Sequence, residues 1–218
     1  GITHPNIVAV YDCIEHGGRQ AVIMQFVQGN FYHIYNRGNN QQTIFFSREN
    51  YLFFLDKVYR YLKPTTDIVA WTLMPNHFHF LIHANEQTVA SVKTQPIIIN
   101  ATTEAIRLLL SSYTKALQVQ RGFTGNLFQQ KTKSKCVFDT EKNYVSTAFH
   151  YIHQNALNAG LCISPEEWEF SSLQDYSGIS NGNLCNYQIA QEYLNINAAI
   201  LLEKTYQPLE DAEISNLY

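Results

Sequence analysis

A strict alternation in the stretch Trp71 to His83, WTLMPNHFHFLIH, constrains this chain more than any other feature. Pro75 and Asn76 interrupt two apolar runs as a turn would, and the second run alternates imidazole with apolar side chains: His77, Phe78, His79, Phe80. Residues two apart on a strand share a face. The spacing therefore predicts a strand with Phe78, Phe80 and Ile82 on one side and His77 and His79 together on the other. Two neutral imidazoles side by side can bind a divalent metal, although histidines on a solvated strand face give the same pattern.

The rest of the chain reads as one domain with appendages. At 218 residues it can bury a full core, and fourteen Tyr with thirteen Phe argue against disorder. Cys13, Cys136, Cys162 and Cys185 form no C-x-x-C pair and read as reduced thiols. No apolar run reaches membrane-spanning length, so no membrane partner is expected. The first residue is Gly1 and the first Met is Met24, so a native start upstream is expected.

The formal charge of −3 is unevenly spread. Residues 30–164 hold thirteen Lys and Arg against seven Asp and Glu, a net of +6, whereas residues 165–218 hold one lysine against nine acids, a net of −8. A basic middle with an acidic tail is the asymmetry of a phosphate-binding domain. Arg107, Lys115, Arg121, Lys131, Lys133 and Lys135 form its densest cluster.

Element signals follow the same plan. FYHIYNRG reads as a strand closed by a Gly38-Asn39 turn, and Ser47 opens a helical pattern that Pro64 ends. Ile68–Leu73 and His77–Ile82 are the next two strands. A strand, a helix and two strands make half of a split β-α-β sandwich, which sets the expected class as α+β, ferredoxin-like, an antiparallel sheet with helices on it. Residues 85–102 read as irregular with a short helix at most, Glu104–Val119 as a helix, KTKSKCVF as a basic strand, and a third helix runs from a cap at Asp139 or Thr140 to Gly160.

On that third helix Tyr151 and Asn155 lie one turn apart and share a face. A phenolate attacks a phosphodiester only when its proton is lost and the phosphate is neutralised. A divalent metal on His77, His79 and an amide oxygen supplies the second condition, with Asn155 as third ligand and Gln154 as alternate. Tyr144, seven residues before Tyr151, is the runner-up nucleophile. His83 falls about 13 Å beyond His79 along the strand, out of a metal's reach. Arg37 can contact phosphate from its turn, and Phe123 and Phe128 can stack bases or anchor a loop.

With these residues in view, residues 31–176 resemble the single-tyrosine HUH transposases, particularly the REP-associated branch. The motif His–hydrophobe–His stands as His77-Phe78-His79, and the helix motif as Tyr151-Ile152-His153-Gln154-Asn155. FYHIYNRGNN, TGNLFQQ and EEWEFSS also resemble the family. The resemblance implies a transposase domain over residues 30–178 and an acidic extension over 179–218. It implies Mg²⁺ or Mn²⁺ on His77, His79 and Asn155, and single-stranded, hairpin-forming DNA held by Arg37, Arg121, Lys131, Lys133 and Lys135. Tyr151 would then form a 5′-phosphotyrosine link and leave a free 3′-hydroxyl. A monomer or weak homodimer acting in the cytoplasm on nucleoid DNA is the matching expectation, with an inactive hairpin-binding module as the alternative. Two departures stand out: Asn155-Ala156 where the family has Asn-Pro, and Lys131, Lys133 and Lys135 where many members carry an arginine. Lysine brings charge without the bidentate fork.

Residues 1–29 carry a second, separate resemblance, to a protein-kinase small-lobe fragment, in THPNIVAVYDCIEHGGRQAVIMQFVQG. No Gly-rich loop, strand lysine, H-R-D or D-F-G accompanies it, so a fusion or remnant without kinase activity is expected.

Overall fold

The structure is a computed structural model that describes residues 12–16, 19–94, 97–137, 144–194, 198–215 and 217. Its centre is a four-stranded antiparallel sheet. Strands β3 (Phe31–Arg37), β4 (Asp67–Met74), β5 (His77–His83) and β8 (Lys133–Val137) lie in the spatial order β4-β5-β3-β8. Helix α1 (Arg48–Lys57) links β3 to β4, and α3 (Ala101–Arg121) precedes β8. This is the ferredoxin-like split β-α-β plan. A hairpin of β1 (Asp12–His16) and β2 (Arg19–Ile23) stands before it; its Gly17-Gly18 turn lies outside the described residues.

The alternation of β5 decides how the layers stack. Phe78 and Phe80 are buried towards α1 and α3, where Phe54 meets Phe78 with ring centroids 5.4 Å apart and Tyr113 meets Phe54 at 5.1 Å. Tyr113 also donates its hydroxyl to the Ile44 carbonyl at 2.6 Å, so its one polar atom is satisfied inside the core. Helix α4 (Tyr144–Asn158) crosses the opposite face, the one that carries the histidines. It ends where Gly160 takes φ +67° and the Leu161 amide donates back to the Ala156 carbonyl, a Schellman closure.

The segment EEWEFSS covers the free edge of β4. Leu73 donates to the Phe170 carbonyl, Ser172 donates to the Trp71 carbonyl, and Phe170 stacks on Tyr51 at 3.9 Å. Covering an edge strand removes its unpaired amides from competition with other chains. Beyond α5 (Leu173–Tyr176) the acidic tail folds as α6 (Tyr187–Leu194), α7 (Ala198–Tyr206) and α8 (Asp211–Ser215), with α7 and α8 packed on α4. Cys136, Cys162 and Cys185 are free thiols. Among the described residues no helix is long and apolar enough to cross a membrane.

Two expectations need correction. Residues 85–94 and 97–102 hold not only the short helix α2 (Glu86–Val89) but the paired strands β6 (Ser91–Thr94) and β7 (Ile97–Asn100) and the first residues of α3. A capping box at Asn85 and Thr88 starts α2, and the Asn100 side chain caps α3 by accepting from the Thr103 amide at 2.8 Å. These ties are local polar bonds that hydrophobic periodicity does not register. The pattern opened by Ser47 ends not as one regular helix but through a π-helical turn, Val58–Leu62, and a 3₁₀ turn at Lys63–Thr65. Beyond β2, which ends at Ile23, Met24 and Phe26 turn into the core. The expected caps Asp139 and Thr140 lie outside the described residues.

Candidate active site

Strand register builds one face of the site. In β3 and β5, Tyr35 stands opposite His79 and Arg37 opposite His77, while in β8 Lys133 stands opposite Tyr35 and Lys135 opposite His33. Directly opposed residues share a face, so His33, Tyr35, Arg37, His77, His79, Lys133 and Lys135 all project towards α4. Together with Asn36, Gln129 and Lys131, five of them (Tyr35, Arg37, His77, His79 and Lys133) line a pocket of about 370 Å³. Asn36 fixes the loop beside it by donating to the Gln129 carbonyl at 3.2 Å and to Thr132 Oγ1 at 2.8 Å.

Tyr151 comes down from α4 onto this face. Its ring is edge-on to His79, with centroids 5.8 Å apart at 90°, and edge-on to His33 at 6.0 Å. Tyr151 and the histidines therefore meet within one chain. One turn on, Asn155 donates Nδ2 to the Tyr151 carbonyl at 2.8 Å, and its side chain neighbours the His77 ring. Tyr144 opens the helix two turns earlier, about 10 Å away along the axis.

The electrostatics favour neutral rings. Burial pushes His77 down to about 4, helped by the Arg37 charge and opposed by the Asn155 side chain. Burial also holds His79 well below the usual histidine range, reinforced by His33, His77 and Arg37. A neutral imidazole has one N–H and one bare nitrogen. The His77 Nδ1 lies 2.6 Å from Asn76 Oδ1, which can only accept, so its other nitrogen holds the lone pair. His79 Nε2 is buried and finds no hydrogen-bond partner among the described residues. An orphaned buried nitrogen, a second bare imidazole nitrogen and a neighbouring amide fit a divalent cation. Among the described residues no group of three or more His, Cys, Asp or Glu side chains is placed to hold a metal, so the set depends on Asn155.

Several sequence candidates are placed elsewhere. Gln154 gives both amide hydrogens to the tail, to the carbonyls of Thr205 and Gln207 at 2.8 Å each, and does not line the pocket. His83 pairs with Asp67 at 3.8 Å and packs on Phe31 and Tyr193. His150 bonds Thr205 and His153 bonds Ser172, both buried away from the pocket. Phe128 is a buried anchor against Phe78 and Tyr113, and Phe123 is half-buried on the same core. Of the five basic residues, Arg37, Lys131 and Lys133 meet at the pocket. Lys135 sits one step along β8, and Arg121 lies apart, its guanidinium 3.9 Å over the Phe46 ring.

Two further residues join the site that spacing within one element does not reveal. His33 is fully buried and stacks on His79 with centroids 5.0 Å apart at 18°, its Nε2 2.8 Å from His79 Nδ1. Tyr35 stacks on both, with Lys133 Nζ 5.6 Å over its ring. The alternation of His33, Tyr35 and Arg37 was a signal of the same kind as His77-x-His79, but only the sheet register sets the two rows side by side.

The chain is similar to the solved structure of a REP-associated tyrosine transposase bound to a REP hairpin. The TM-score is 0.54 at 14% sequence identity, over 75% of this chain and 88% of that one. At that identity the likeness is one of fold, an α+β sandwich with helices on an antiparallel sheet. No protein-family model and no curated protein matches the chain.

Proposed function

We propose that the chain is a metal-dependent transposase that cleaves and rejoins single-stranded, hairpin-forming DNA through a 5′-phosphotyrosine intermediate. The observation that carries this reading is Tyr151 lying edge-on to His79 while Asn155, one turn on, reaches His77 beside a basic pocket. The fold shared with a hairpin-bound tyrosine transposase supports it.

In the proposed reaction Arg37, Lys131 and Lys133 hold the DNA backbone at the pocket. Tyr151 gives up its phenolic proton to solvent, and its oxygen attacks the scissile phosphorus. The bond to the 3′-oxygen breaks, and that oxygen leaves as a hydroxyl after taking up a proton. The DNA 5′-phosphate is now esterified to Tyr151. A 3′-hydroxyl attacking this ester reseals a strand and restores the tyrosine, so no nucleotide energy source is consumed. His77, His79 and Asn155 would hold Mg²⁺ or Mn²⁺, which when bound supplies Lewis-acid neutralisation of the phosphate.

The test is incubation with labelled hairpin-bearing single-stranded DNA, with and without Mn²⁺. The reading expects a cleaved strand with a free 3′-hydroxyl and label retained on denatured protein only when metal is present. Tight hairpin binding with no cleavage under any metal would replace it with a binding module of the same fold.

A further inference from the structure

The histidine that completes the stack, His33, has no part in the reaction above, yet it is the most deeply buried polar ring on the catalytic face. Each of its ring nitrogens faces a polar atom. Nδ1 is 3.1 Å from the main-chain carbonyl of Leu217, and Nε2 is 2.8 Å from His79 Nδ1. We propose that His33 is a positioning residue that, with the Leu217 carbonyl, locks His79 in the tautomer whose Nε2 is a bare lone pair.

The hydrogen-bond chemistry leaves one consistent assignment. A backbone carbonyl only accepts, so the His33 Nδ1 must carry hydrogen; two acceptors 3.1 Å apart would repel. His33 is buried and uncharged, so its Nε2 is the acceptor. The His79 Nδ1 facing it at 2.8 Å must then donate. His79 is also buried and uncharged, which leaves its Nε2 without hydrogen. That is the nitrogen with no partner among the described residues. Polarity thus runs in one direction, from a carbonyl near the far end of the chain through two rings to the nitrogen that would meet the cation. Partners of this kind fix ring orientation and raise the basicity of a ligating histidine. The opposite tautomer would aim an N–H at the metal.

This proposal rests on the metal reading of His77 and His79, and the two can fail separately. In wild-type protein without metal, long-range ¹H–¹⁵N correlation reads each ring nitrogen directly. Protonated Nδ1 and pyridine-type Nε2 are expected on both His33 and His79; a proton on His79 Nε2 overturns the relay. Mn²⁺ titration by calorimetry then compares wild type with His33→Phe and His33→Gln. The phenylalanine keeps the stack but removes the acceptor, and affinity should fall about 10- to 100-fold. Glutamine can accept from His79 and donate to the Leu217 carbonyl, and should recover most of the loss; it also serves if the phenylalanine variant does not fold. Equal affinity in all three overturns the relay while the DNA-cleavage reading stands. A wild type that takes up no Mn²⁺, with the tautomers as expected, overturns the metal reading and leaves the relay nothing to serve.

Discussion

The two faces of β5 do different work with the same backbone. On one face Phe78 and Phe80 are sealed under α1 and α3 in an aromatic cluster with Phe54 and Tyr113. On the other, His77 and His79 stand with His33, Tyr35 and Lys133 beneath Tyr151. The apolar face gains by removing area from water and is indifferent to charge. The polar face must hold uncharged rings, an orphaned nitrogen and a basic rim in one arrangement. A strand whose alternate residues serve stability and chemistry separately lets either be altered without the other.

The largest test of that separation is the nucleophile. Tyr151→Phe should reduce covalent adduct on the order of 10³-fold or more, while thermal unfolding stays near wild type, since the ring packing is kept. Next comes the strand itself. His79→Ala should lose metal-dependent cleavage by roughly 10²-fold or more with a modest change in unfolding midpoint. Phe80→Ala, one residue on, should cost about 3–5 kcal/mol of stability and retain cleavage in the folded fraction at low temperature. If the two variants exchange their effects, the division of faces is wrong.

A smaller effect comes from protons. Burial, aided by the Lys204 charge, lowers the His150 pKa to about 4, against about 6.5 in an unfolded chain. The unfolded state therefore binds the proton first as pH falls. The contribution is fully present above about pH 6.5 and is lost between there and about pH 4, with a slope up to ~1.4 kcal/mol per pH unit for this residue. Denaturant titrations across that range should show the loss, shallower in His150→Gln. The smallest effects lie on the rim. Arg37→Gln, Lys131→Gln or Lys133→Gln should each weaken hairpin binding and flatten its salt dependence by about one counterion. Arg121→Gln, stacked on Phe46 away from the pocket, should leave that slope unchanged.

What the sequence made legible was local. The β5 alternation, the Tyr151–Asn155 spacing and the Gly160 stop are each contained within one element, and the structure places all three as read. What it hid was register and reach. His33 meets His79 only because β3 lies antiparallel to β5 in one particular register. Its other partner is a backbone carbonyl 184 residues away, which no side-chain pattern can announce. Gln154 stands as the alternate to Asn155 in the sequence, and only the fold shows its amide bound to the tail. The Asn85 and Asn100 caps escaped for a similar reason, since polar side chains bonding to backbone leave no hydrophobic period.

The central claim is that Tyr151, on the polar face, is the atom source of the DNA link. The most direct measurement is mass spectrometry of the protease-digested adduct formed on hairpin DNA with Mn²⁺. A nucleotide mass on the peptide carrying Tyr151 is the predicted result. A nucleotide on Tyr144, or on any residue away from the histidine wall, would contradict it.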